Sequence, residues 1–148
     1  MIAHSILVAY DGSPESLHAV NEAVELAKLA GARLAIVAVV PLVSPGFGIA
    51  MPVGDTAART LAESRASLDA QRARIQSSGL AGVETHLLEG EPVSAIVGFV
   101  ETHGIDLVVV GSRGLDALGR FFLGSVSDGI LHYARCSVLV VKTPKSSG

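Results

Sequence analysis

Apolar positions along the chain fall into two alternating kinds of segment, short continuous runs and longer stretches at helical spacing. Residues 6–10 are a short apolar run that meets Asp11 and Gly12, a turn signal, and read as a buried strand. Ser13 is a good N-cap and Pro14 a good first helical residue. Leu17, Val20, Val24 and Ala27 then recur at helical spacing until Gly31 ends the helix. Residues 34–40 are continuously apolar, as expected of a strand whose two faces are both covered. Residues 41–54 break the pattern with three prolines and three glycines, yet carry Leu42, Val43, Phe47, Ile49, Met51 and Val53. A loop of that length tends to be functional or disordered, and this apolar content predicts that it packs on something.

The alternation then resumes. A long helix is predicted over residues 55–78, with Leu61, Leu68 and Ile75 on one stripe, and a third strand over 83–89. Glu91 and Pro92 open another helix, whose apolar face is Val93, Ile96, Val97 and Val100. A fourth strand at 106–110, a glycine-rich loop at 111–124, a last helix at 126–133 and a fifth strand at 137–142 complete the order. Strands alternating with helices predict an α/β fold, a parallel sheet with helices on both faces. We assign residues 1–143 to one domain and 144–148 to a polar, frayed tail.

Composition adds exclusions. In 148 residues, 49% are hydrophobic and 17% charged, enough apolar material for a full core and too little charge for disorder. The net charge is −3 and no Lys/Arg cluster occurs, which argues against a nucleic-acid partner. No apolar stretch is long enough for a membrane helix, and the first residues lack a basic region, so a cytoplasmic protein is expected. Cys136 is the lone cysteine and reads as a plain structural thiol. The five histidines, at 4, 18, 86, 103 and 132, have no metal-ligand spacing, and no metal site is predicted.

Candidate chemistry sits where such sheets bind ligands, beyond the carboxyl ends of the strands. Two loops qualify. One is Asp11, Gly12 and Ser13 after the first strand; the other runs from Gly111 and Ser112 through Arg113 and Gly114 to Gly124 and Ser125. Each meets a helix N-terminus, with its free N–H groups and partial positive charge. Glycines let a backbone approach a phosphate closely, and the Ser125 hydroxyl can cap a helix or donate to a phosphate. Spacing alone leaves a flexible, serine-capped connection equally open. No G-x-G-x-x-G follows the first strand. Gly119-x4-Gly124 has the outline of a phosphate-binding loop, but Ser125 stands where its lysine would be.

The spacing Gly111-x2-Gly114-x9-Gly124-Ser125 resembles the G-x2-G-x9-G-[S/T] motif of the ATP-binding universal stress proteins. The opening Ile6-Leu-Val-Ala-Tyr-Asp-Gly-Ser13, the segment Asp106-Leu-Val-Val-Val-Gly-Ser-Arg-Gly114 and the closing Cys136-Ser-Val-Leu-Val-Val-Lys142 resemble the same family, so the similarity covers nearly the whole chain. The resemblance implies an adenine nucleotide alpha-hydrolase-like fold with strand order 3-2-1-4-5. It implies that Asp11 contacts the nucleoside at its ribose, that backbone groups of Val39 meet the adenine edge, and that Gly111, Arg113, Gly114, Gly124, Ser125 and Val126 surround ribose and phosphates. Gly12, Ser13 and Ser112 complete the expected nucleotide site. A carboxylate suits two sugar hydroxyls because it accepts both hydrogen bonds, although Asp11 also suits a turn cap. ATP, AMP or cyclic AMP would be the ligand, ATP with magnesium.

The last strand, with Val138, Leu139, Val140 and Val141, has no later strand to cover it and would be a vulnerable edge. In the resembling family this strand pairs two subunits, which implies a homodimer. The function so implied is that of a nucleotide-binding sensor or regulator in stress response. A slow ATP hydrolase or phosphotransferase is the enzyme alternative; it needs a group to position water or an acceptor, and no catalytic residue is identified.

Overall fold

The computed structural model describes residues 3–41, 55–112 and 123–143, with 55–58 described by their backbone alone. The 42–54 stretch, most of the 111–124 loop (Arg113 and Gly114 included) and the 144–148 tail lie outside the described residues. Within them the order is β1 (Ser5–Ala9), α1 (Pro14–Ala30), β2 (Arg33–Val40), α2 (Asp55–Ser77), β3 (Val83–Glu89), α3 (Pro92–His103), β4 (Leu107–Gly111), α4 (Ser125–Tyr133) and β5 (Ser137–Val141). The strands form one sheet in the order β3-β2-β1-β4-β5, with every pairing parallel. This is the strand order that the sequence motifs implied.

Strand parity divides the core into two layers. Ile6, Val8, Leu34, Ile36 and Val109 turn to one face, against the alanine-rich side of α1 and Leu68 and Ile75 of α2. Leu7, Val37, Val108 and Val110 turn to the other, against Ile96, Phe99 and Val100 of α3 and Ile130 of α4. Each fully buried aliphatic side chain contributes roughly 1.5–3 kcal/mol relative to exposure. The sheet therefore has helices on both faces, as predicted from its continuously apolar strands. Leu17, predicted on the apolar face of α1, is instead 36% exposed. The face that packs is lined by Ala19, Ala23 and Ala27 with Val20 and Val24, small enough to bring α1 close to the sheet. On α3 the buried residues are Ile96, Phe99 and Val100, with Val93 and Val97 only half-buried.

Two strand ends differ from the predicted ones for a reason visible in the hydrogen bonds. Asp106 lies outside β4. Its carboxylate accepts the N–H groups of His4 at 2.8 Å and Ser5 at 3.2 Å, pinning the start of β1 beside it. Tyr10 lies beyond β1, and its N–H reaches across to the Val37 carbonyl at 2.8 Å.

The helix starts are not alike. Ser13 caps α1, its Oγ accepting the Ser16 N–H at 3.1 Å. Glu91 caps α3, accepting the N–H groups of Val93 at 3.1 Å and Ser94 at 2.8 Å. Gly124 opens α4 with no side-chain cap. The Ser94 and Val93 N–H bonds hold the Glu91 carboxyl below its ordinary 4.5. A depressed folded-state pKa stabilises above the unfolded value, and the contribution is lost as pH falls through the folded value. Glu91→Gln is therefore expected to melt below the parent near neutral pH, with the gap closing below about pH 4. Thermal melts across pH check this. A gap independent of pH would mean that the carboxylate charge contributes nothing.

Candidate functional site

The strand order reverses between β1 and β4, which both pair centrally but continue to opposite edges of the sheet. The β1–α1 and β4–α4 connections consequently leave on opposite faces and open a crevice past the carboxyl ends of those strands. The structure has a cleft of about 220 Å³ there. Its walls come from both loops singled out in the sequence and from a third element, the start of α3.

One side of the cleft is apolar: Val37 and Val39 from β2, with Pro92 and Ile96 from α3. Val39 also matters through its backbone. The Val37 carbonyl takes the Tyr10 N–H, the last bond between these chain segments. Alternation along a strand turns the Val39 N–H and C=O to the same side as those of Val37, where β1 has already ended. A donor and an acceptor from one residue thus face the crevice next to an apolar wall. That arrangement suits the edge of a flat heteroaromatic ring carrying both an amino group and a ring nitrogen.

The β1–α1 turn forms a second wall. Gly12 has φ of +86°, a conformation that favours glycine. Asp11 Oδ1 accepts the Ser13 N–H at 2.9 Å. The Asp11 N–H donates to Ser16 Oγ at 3.2 Å, and Ser16 Oγ donates to the Ser13 carbonyl at 2.9 Å. Asp11 therefore shapes the turn, and its exposed carboxylate also lines the cleft.

The third wall joins the end of β4 to the start of α4. Ser112 is 2% exposed, and its N–H donates to the Val141 carbonyl at 2.9 Å. Its Oγ is buried with no hydrogen-bond partner among the described residues, in a residue that lines the cleft. Such groups are uncommon, because an unsatisfied buried hydroxyl costs about 1–3 kcal/mol. Ser127 Oγ donates to the Gly111 carbonyl at 3.0 Å, tying α4 to the strand end. Gly124 and Val126 lie on the cleft wall beside them, and the uncapped first turn of α4 leaves backbone N–H groups for an acceptor. The glycine at 111 has a separate reason: a Cβ there would stand 2.6 Å from the Glu15 carbonyl oxygen of α1. The end of β4 and the first turn of α1 touch through bare backbone.

Charged side chains on the described lining are Asp11 and Glu15, both acidic. An anion here is held by oriented N–H groups and the positive end of the α4 dipole rather than by a described cation.

Of the sequence-predicted site, Asp11, Ser13, Val39, Gly111, Ser112, Gly124 and Val126 converge on this cleft. Gly12 and Ser125 are exposed and outside its lining, and Ser125 is the first residue of α4 rather than its cap. Sequence reasoning missed Tyr10, Glu15, Ser16, Pro92, Ile96 and Ser127. Pro92 could have been found, since it follows the carboxyl end of the third strand as the other loops follow theirs. The rest had no local signal. Glu91, which the sequence sets at the opening of the helix, is the α3 cap. Among the described residues no group of three or more potential ligands is placed to hold a metal ion, and His86 and His103 pack against Phe99. Burial pushes the Cys136 thiol up from its ordinary value, so it is a poor nucleophile. No helix among the described residues is long and apolar enough to cross a membrane.

Comparison with known proteins agrees with the geometry. A universal stress protein of Staphylococcus haemolyticus is 35% identical over 141 residues, covering 94% of this chain and 84% of its own. A universal stress protein from Archaeoglobus fulgidus, solved in complex with dAMP, superposes with a TM-score of 0.68 at 26% identity, covering 95% of this chain and 98% of its own. Another, solved in complex with cyclic AMP, gives 0.66 at 27% identity over 95% and 98%. The universal stress protein family matches residues 3–142, so the chain belongs to the universal stress protein family.

Proposed function

We propose that this protein binds an adenine nucleotide, ATP above all, in the cleft between the β1–α1 turn and the start of α4, and acts as a cytoplasmic sensor or regulator in stress response. The observation that carries the reading is the polar end of the cleft. A buried Ser112 Oγ without a partner among the described residues lies on the same wall as the start of α4, which has no side-chain cap. Phosphate oxygens accept from both. The adenine edge lies along the Val39 backbone between Val37, Pro92 and Ile96, and the Asp11 carboxylate accepts from the ribose. The motif spacing implies that Arg113 and Gly114, which lie outside the described residues, also contact the phosphates. Relatives solved with dAMP and with cyclic AMP support the choice of adenine. Magnesium would accompany ATP as the counter-ion of its triphosphate.

Calorimetry of nucleotide-stripped protein with ATP, AMP and cyclic AMP tests this. No heat at millimolar ligand would sink it, and competition between cyclic AMP and ATP ranks the two. Asp11→Ala is expected to weaken adenosine by about tenfold, the size of one charge-assisted hydrogen bond, and to leave inorganic phosphate nearly unchanged. Equal adenosine affinity would reduce Asp11 to its turn-forming role.

The protein also pairs as a homodimer through β5. That strand pairs only with β4 among the described strands, and Leu139 is 37% exposed on it. A second copy covers Val138, Leu139, Val140 and Val141 and removes an open edge. A monomer at micromolar concentration in sedimentation equilibrium would overturn this.

A further inference from the structure

Tyr10 belongs to the cleft and to something else. Its ring packs on the core layer beneath α1 and α2, and it also lines the cleft. Its N–H is fixed to the Val37 carbonyl, one residue pair before the Val39 edge. Its hydroxyl points away to α2, where Ser67 Oγ lies at 3.3 Å and Gln71 Nε2 at 3.4 Å. Neither Ser67 nor Gln71 lines the cleft. The chain of bonds continues outward. Gln71 Oε1 accepts from Arg74 Nη2 at 2.7 Å and Nε at 3.0 Å, and Arg74 Nη2 donates to Asn21 Oδ1 of α1 at 3.0 Å.

The helix at the far end of this chain is loosely held. Over its described side chains, α2 buries only Leu68 and Ile75, and its other faces are exposed or half-buried. A long helix with so few buried anchors lies toward the low end of local stability, where a small added restraint changes the open population. The Tyr10 bonds flank the first of those anchors, Leu68, at Ser67 and Gln71. They are long for hydrogen bonds, so a ligand that steadies the ring has room to tighten them.

We propose that Tyr10 is a positioning residue that couples occupancy of the cleft to the order of α2, through Ser67 and Gln71. This rests on the nucleotide reading above and adds to it the direction in which binding is reported. A nucleotide against the Tyr10 ring fixes the phenol, the phenol fixes Gln71 and Ser67, and the middle of α2 opens less often. By reciprocity, the cleft binds more tightly when α2 is ordered than when it is open, by the factor by which the ligand suppresses that opening.

Hydrogen exchange on the full chain, with and without saturating ATP, tests it. Amides of residues 66–72 are expected to exchange about fivefold or more slowly with ATP, the lower end of ordinary coupling. Tyr10→Phe keeps the ring on the cleft wall and removes the hydroxyl. At saturating ATP it is expected to lose the protection of 66–72. The double substitution Ser67→Ala with Gln71→Ala cuts the same link from the α2 side without touching the cleft, and is expected to bind ATP within about threefold of the parent, a fraction of one hydrogen bond, and to lose the same protection. Protection surviving in both variants, or absent from the parent while ATP binds, would overturn the coupling and leave the nucleotide site standing. No ATP binding by the parent would overturn both. A merely structural Tyr10 would change melting temperature in the variants but not the ligand-dependent difference in exchange.

Discussion

Gly124→Val is expected to weaken adenine nucleotide binding by at least about 100-fold, about 2.7 kcal/mol, while the protein stays folded. Gly124 has φ of −65° and ψ of 160°, extended backbone that any residue adopts. The substitution therefore introduces no backbone strain. Gly124 is nevertheless buried on the cleft wall, at the start of α4. Its lack of a side chain is what leaves the first-turn N–H groups open to a phosphate. Valine places two methyl groups beside them, and it is a poor N-cap, which costs the helix on the order of 1 kcal/mol. For a chain of this length that lowers the melting temperature by about 2–4 °C. Calorimetry and a thermal melt on the same preparation separate the two effects. Retained affinity would mean that the phosphates lie elsewhere.

Gly111→Ala is expected to act mainly on stability. The new Cβ would stand 2.6 Å from the carbonyl oxygen and 2.9 Å from the carbonyl carbon of Glu15. Both are backbone atoms in the first turn of α1, so no side chain can rotate out of the way. Either the strand end or the helix must move, and overpacking of this kind costs about 1–3 kcal/mol. That corresponds to a loss of about 3–10 °C in melting temperature. Asp11 and Ser13 lie immediately before that turn, so nucleotide affinity is expected to fall with it. An unchanged urea midpoint would show that α1 and β4 are not in backbone contact in solution. The two glycines are thus expected to have different reasons to be glycine: at 111 the close approach of α1, and at 124 the ligand proposed for the cleft. Motif spacing assigns both to the phosphate.

What could be read along the chain was what local chemistry decides. Ser13 and Pro14 set the start of α1, and Gly31, at φ of 65°, sets its end. Continuously apolar strands announced a sheet covered on both faces, which the two core layers bear out. The errors were also local in origin. Leu17 has the right spacing for a buried face, but the sheet accepts the narrower alanine side of α1. Asp106 looks like a strand residue and instead spends its carboxylate on two backbone N–H groups from the far end of the sequence.

The candidate site divides along the same line. Asp11, Gly111, Ser112 and Gly124 stand next to glycines and helix starts, so their positions in the sequence advertise them. Tyr10, Glu15, Ile96 and Ser127 do not, because each reaches the cleft from an element whose placement depends on the order of strands. Periodicity determined by itself that this is an alternating α/β chain, and the motif spacing pointed to a phosphate-binding loop. The family motifs implied the strand order that sets β1 beside β4, and only the tertiary structure decided that α1 touches β4 at Gly111 and that the Tyr10 hydroxyl reaches α2 from the cleft wall. The physical reason is range. Caps, turns and periodicity are settled by neighbours a few residues away, whereas a crevice is made by backbones that meet only after the sheet has formed.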